Sequence, residues 1–187
     1  MTTAVATLTD LSGTYVLDPA HSRIGFVARH AMVTKVRGQF NEFEGKAVVD
    51  PADFGRSTVE LTIQTASIDT RNEQRDGHLR SNDFLAMEEY PQITFVSTAV
   101  EQAGPTGFEV TGDLTIKGVT NSITVPFEFE GAATDPFGNL RVGFEGSVVI
   151  NRKDYGVNWN AALEAGGVLV SEKVTLEFEV SAIRADA

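Results

Sequence analysis

The sequence predicts an all-β fold, an antiparallel sandwich or closed barrel. Three observations point there. Apolar residues recur at every second position through most of the chain, the repeat of a strand with one dry and one wet face. Turn-forming residues separate these runs at short intervals. Only one stretch of any length, near residues 71–81, departs from the pattern.

The elements follow in chain order. Ile24, Phe26 and Ala28 share a face, and Val36, Gly38 and Phe40 share the next. Phe43 then breaks phase, which a bulge near Asn41–Glu42 would restore. Val59, Leu61 and Ile63 continue the alternation, followed by Ile93 and Phe95 before Val100. Phe108, Val110, Leu114 and Ile116 oppose Glu109, Thr111, Asp113 and Thr115. The last three runs are Ile123–Phe129, Val142–Ile150 and Val174–Val180. Asp18-Pro19, Asp50-Pro51 and Asp135-Pro136 mark turns, since proline presets φ and aspartate bonds the backbone ahead. Gly138-Asn139 and Thr120-Asn121 punctuate further. Thr70-Arg71-Asn72-Glu73 has the form of a capping box, so a short polar helix is predicted over 71–81. A second helical turn is expected at Asn160–Ala165, ended by Gly166-Gly167. Residues 1–12 read as a flexible tail and 13–185 as one domain.

Bulk composition excludes several classes of function. The chain has 187 residues, 42% of them hydrophobic, enough for a substantial core. Its 15 basic and 26 acidic residues give a net charge of −11. That argues against nucleic acid, whose phosphates need a basic face. It argues equally against docking on anionic membranes by overall charge, although a local basic patch stays open. With no cysteine, disulfides, thiolate metal sites and thiol catalysis are excluded. The opening MTTAVATLTDLSG has no basic residue and no unbroken apolar core, unlike a secretory signal. No apolar run approaches the ~18 residues of a membrane span. The expectation is a cytoplasmic protein without stable membrane insertion.

An ordered set of short motifs resembles the YceI-like family. It opens with Asp18-Pro19-Ala20-His21-Ser22, then Ile24, Phe26, His30 and Gly38-Gln39-Phe40. The central match is Ser67-Ile68-Asp69-Thr70, Arg75 to Ser81, Asp83-Phe84 and Tyr90 to Phe95. Gly112 to Thr120, Asn151 to Gly156 and the strand Val174 to Val180 complete it. The resemblance spans about residues 14–183. It implies an extended eight-stranded lipocalin-like barrel, commonly a homodimer, that binds polyisoprenoids or related long apolar molecules. Many family members are exported, and the absence of a recognisable signal here departs from that pattern.

The candidate site residues come from the inward phases. Phe26, Phe40, Ile63, Phe95, Phe127, Phe144, Leu176 and Phe178 either fill a solid core or line a cavity for one apolar ligand. The resemblance favours the cavity. A chain-like isoprenoid or quinone-type lipid suits such a tube, because each buried CH₂ is worth ~0.8 kcal/mol without directional demand. Strands of about nine residues at ~3.3 Å each give a tube about 30 Å long. His30 and Arg152 continue apolar stripes and are expected inward near barrel ends, Arg152 in a closing network with Asp154 or contacting a head group. Asp76 and Arg80 can pair at i,i+4 in a lid helix, with Arg75, His78 or Arg80 near a head group. Trp159, the sole tryptophan, caps a barrel end or touches ligand. The three histidines show no chelate spacing, and no nucleophile elbow or dinucleotide fingerprint is present. The expected function is non-enzymatic lipid binding, storage or transport, with no cofactor. The alternatives are a lipid-modifying enzyme using His30, His78 or Asp76, and a packed barrel acting on a protein partner.

Overall fold

The computed structural model describes residues 8–164 and 166–185. Eleven strands form one antiparallel sheet: β1 (Gly13–Leu17), β2 (Arg23–His30), β3 (Thr34–Phe40), β4 (Phe43–Val49), β5 (Thr58–Gln64), β6 (Ile68–Asp69), β7 (Gln92–Gln102), β8 (Gly107–Ile116), β9 (Val119–Thr134), β10 (Leu140–Asn151) and β11 (Lys173–Ala185). The ring β1-β4-β5-β7-β8-β9-β10-β11 closes because β1 also pairs with β11. Eight strands therefore make the closed barrel that the family resemblance implies, one of the two architectures the alternation allows. Closure leaves no exposed edge in the ring.

Of the three remaining strands, β2 and β3 come from long strands broken midway, and the short β6 pairs with β3. β11 pairs with β1 through Ala182–Ala185 and with β2 through Thr175–Glu179. A short turn at Pro19–His21 separates β1 from β2, and Asn41–Glu42 separates β3 from β4. The predicted break in phase before Phe43 is thus real. Asn41 N–H leaves the ladder to bond Ser67 O at 3.1 Å, and Glu42 O accepts from Gln64 N–H at 2.9 Å.

Several turns differ from expectation. The β8–β9 connection is Lys117-Gly118, both at positive φ (51° and 75°), and Thr120-Asn121 lie inside β9. A two-residue turn of that geometry matches strand twist, and glycine supplies the left-handed position without strain. The turn expected as helical over 160–165 is a tight reversal. Leu163 N–H bonds Gly167 O at 3.1 Å, and Ala162 bridges Val168; Ala165 lies outside the described residues. Of the segment 1–12, residues 1–7 also lie outside, while Leu8–Asp10 form a 3-10 turn and Leu11 is buried. Leu11 O accepts from the buried Tyr15 hydroxyl at 3.1 Å.

Two of the three Asp-Pro turns are tied to one arginine. Arg141 donates to Asp18 Oδ2 at 2.6 Å and to Asp135 Oδ2 at 2.8 Å. The Arg141 bond, followed by that from His21, holds the Asp18 carboxyl below its ordinary range. At Asp135 partial burial works upward, but bonds from Asn139, Arg141 and Phe137 outweigh it and lower the pKa to about 2. Folded pKa values below the unfolded one stabilise the fold above the ordinary carboxylate range of about 3.9. That stability is lost as pH falls toward about 2. Thermal denaturation is expected to show Asp135→Asn melting below the native chain at pH 5, with the gap closing by pH 2. A gap independent of pH would contradict this linkage.

Candidate functional site

One end of the barrel is plugged by the segments that break the β pattern. Helix α1 (Glu73–Arg80) starts with Asn72, whose side chain accepts from Arg75 N–H at 2.9 Å. The N-cap is therefore Asn72, not Thr70. Thr70 serves a different purpose: its N–H and hydroxyl both donate to the buried Asp76 carboxylate. Arg75 bonds Thr70 Oγ1 at 2.7 Å and Thr70 O at 2.8 Å. Arg80 reaches Ala66 O at 2.9 Å and Ile68 O at 3.1 Å, with Glu73 at 3.5 Å. The expected Asp76–Arg80 pair does not form. The helix is fastened mainly by guanidinium–carbonyl bonds, which hold both partners in fixed planes.

Arg152 fastens the second half of the plug. It is 6% exposed, and its guanidinium donates to Val157 O at 2.7 Å, Ser171 O at 2.8 Å and Val170 O at 3.3 Å. Burial pulls its pKa below the ordinary range, and the charge of Glu172 pushes back. Asp154 is exposed and takes no part, so the closing network uses backbone carbonyls rather than the expected carboxylate. The short 3-10 turn Arg152–Tyr155 explains the change, since leaving the strand ends the alternation that put Asp154 in phase. The neighbouring Tyr155 is buried, and burial raises the pKa of its hydroxyl, with Asn121 working in the opposite direction.

Beneath the plug lies a cavity of about 250 Å³. Phe26, Phe40, Ile63, Phe95, Phe127, Leu176 and Phe178 line it, as their strand phases predict. Arg152 lines it at the plugged end. Phe144 lines instead a second cavity of about 150 Å³ at the opposite end, beside Leu8, Leu11 and Phe108. Tyr15, Ala47, Val59, Phe127, Val180 and Ala182 belong to both walls, so the two spaces adjoin along one interior. The atoms bordering both are almost wholly apolar.

Glycine keeps this interior open. Three phenylalanine rings lie over glycines of neighbouring strands, an arrangement that covers glycine backbone with an aromatic face. A Cβ on Gly38 would sit 2.3 Å from the Phe26 ring, one on Gly112 2.5 Å from Phe95, and one on Gly146 2.7 Å from Phe127. Flattened against the wall, these rings leave the lumen free. An alternating run of phenylalanines otherwise reads as a filled core.

Two expected site residues lie elsewhere. His30 is exposed at the end of β2, where its backbone bridges Val170, and it is absent from the lining. The strand ends there, so its inward phase no longer points into a lumen. Trp159 stacks edge-on against His78 (4.6 Å between centroids) and beside Phe84 (5.3 Å), outside the lining. Sequence reasoning missed the apolar underside of the plug: Leu79, Phe84, Leu85, Val157 and Val170. The run Phe84-Leu85-Ala86-Met87 inside a polar segment was its visible signal.

A closed antiparallel barrel around an apolar interior, stoppered at one end, is the class of protein this fold defines. The chain belongs to the YceI-like family, whose YceI-like domain matches residues 15–182. A Staphylococcus aureus relative named UPF0312 protein SAS2572 is 42% identical over 169 residues, covering 90% of this chain and 95% of that one. Among solved structures, BcnA of Burkholderia cenocepacia superposes with a TM-score of 0.78 at 28% identity, covering 88% of this chain and 98% of that one. A polyisoprenoid binding domain from Saccharophagus degradans shares the fold, with a TM-score of 0.68 at 17% identity over 91% of this chain and 98% of its own. Among the described residues no helix is long and apolar enough to cross a membrane.

Proposed function

We propose that this protein binds and carries a long apolar isoprenoid-type lipid, a polyisoprenoid or a quinone tail, without transforming it. The observation that carries this reading is the apolar cavity at the centre of the barrel. Such a space favours whatever removes most apolar surface from water, and a flexible hydrocarbon chain does so without directional demand. The description of the Saccharophagus degradans fold neighbour as polyisoprenoid-binding agrees with it. Arg152, a permanent cation, borders the plugged end of the cavity, placed to attract a pyrophosphate or carbonyl head group.

The lining speaks against chemistry on an enclosed ligand. No histidine or aspartate borders the cavity, and the Glu60 and Lys46 that do are an opposed, solvent-exposed pair on neighbouring strands. His78 pairs with Asp83 at 2.9 Å, but on the outer side of the plug. Incubation with a prenyl alcohol or a quinone, followed by extraction and mass analysis, tests the point. The lipid is expected back unchanged and in proportion to protein. Conversion that His78→Ala abolishes would favour an enzyme.

A further inference from the structure

We propose that the β2–β3 hairpin is a docking tip for an anionic lipid surface. The first observation is one of charge. Residues 19–41 contain Arg23, Arg29, Lys35 and Arg37 and neither aspartate nor glutamate, in a chain with 26 acidic residues. The strand register places these three arginines and one lysine on the outer face, since Ile24, Phe26 and Ala28 face the cavity. Arg29 stands directly opposite Lys35. Like charges at opposed positions of a ladder repel. Neither makes an ion pair among the described residues, and an anionic surface would relieve the pair. Lys173, which opens the adjacent β11, is exposed and adds to the same side.

Acidic groups near this face lie mostly away from the tip: Glu179 stands opposite Arg23 at the far end of the hairpin, and Asp69 opposite Gln39. Glu177 is shared by Arg23 (3.5 Å) and Arg37 (3.8 Å), farther from the tip. Glu172 is held by Lys153 at 2.8 Å. Glu164, on the adjoining loop, is exposed and makes no ion pair among the described residues.

The second observation is apolar. The turn between the strands exposes Met32 (62%) and Val33 (75%), with Val168 beside them. The adjoining loop is fixed to the turn by Ala31 N–H to Leu169 O at 2.7 Å. Met32 also lies across Gly167, where a Cβ would come within 2.2 Å of its sulfur. Ala31 and Met32 both take positive φ (50° and 63°), a turn that ordinarily selects asparagine and glycine. The sequence thus holds an exposed methionine where polar residues fit the backbone better. Apolar residues at the apex and basic residues behind them match a bilayer interface: the apex enters the head-group layer while cations meet its charge. The acidic remainder of the molecule would be repelled, which fixes orientation. The tip adjoins the plugged end of the cavity, because the hairpin supplies Phe26 and Ala28 and its neighbour loop supplies Val170 to the wall.

Sedimentation with phosphatidylcholine vesicles, with and without phosphatidylglycerol, tests this. The native chain is expected to co-sediment with the anionic vesicles and to be released by high salt. Arg29→Glu with Lys35→Glu, and separately Met32→Asn with Val33→Thr, should each weaken binding roughly tenfold or more. Asparagine suits the left-handed position, so the second variant keeps its fold, which circular dichroism checks. A native chain that ignores anionic vesicles, or variants that bind like it, would overturn the proposal. The assay uses lipid-stripped protein and cavity loading is read in detergent, so the docking and carrier readings fail separately.

Discussion

Replacing Arg152 with methionine is expected to destabilise the barrel by about 3–5 kcal/mol and to open its plugged end. The guanidinium satisfies three carbonyls at once, those of Val157, Val170 and Ser171. Without it, buried acceptors lose partners, at about 1–3 kcal/mol each where water cannot replace them. For a chain of this size the melting temperature should fall by roughly 8–15 °C. Hydrogen exchange should rise through residues 157–171 more than in β7–β9. Arg152→Lys keeps the charge but not the planar fork, so it should recover less than half of the loss. Equal stability of Arg152→Lys and the native protein would show that charge alone matters there.

Gly38→Ala is expected to lower lipid affinity about tenfold or more while the fold survives. The new methyl would meet the tip of the Phe26 ring at 2.3 Å, so the ring must leave the wall for the lumen. The obstacle is a side chain that can rotate. At Gly112 and Gly146 the added methyl would also meet backbone, Val96 O at 2.5 Å and Pro126 O at 2.7 Å. Alanine there should therefore cost stability first. Combining Gly38→Ala with Phe26→Leu removes the displaced ring and should restore binding, a coupling that a double-mutant cycle reads directly. Titration of a fluorescent polyene lipid measures all four proteins. Additive losses would mean that Phe26 does not move into the cavity.

The barrel was legible because its physics is local. One-residue alternation fixes which side chains face inward, and seven of the eight apolar site positions line the main cavity on that basis alone. Phe144 shares their phase but belongs to the second space, because a strand's phase gives its face and not its height along the barrel. Phase failed where strands end. His30 is the last residue of β2 and Asp154 lies in the 3-10 turn after β10, and both are exposed. The plug was hardest to read. Its helix was visible, but its fastenings run from side chains to distant carbonyls, as with Arg80 to Ala66 and Arg152 to Ser171. Carbonyls are present at every residue, so sequence carries no mark of which one is used. Nor does periodicity separate a packed core from a lined cavity. The difference rests on where the glycines fall on neighbouring strands, and that requires the register.

The most direct measurement is native mass spectrometry of the purified protein, before and after loading with prenyl lipids and quinones, with extraction of whatever it retains. The expected result is a stoichiometric adduct of one long-chain lipid, diminished in Gly38→Ala and recovered in the Phe26→Leu, Gly38→Ala double variant. A mass that stays at that of the bare chain under every loading condition would contradict the carrier and leave a hollow barrel with no ligand of this class.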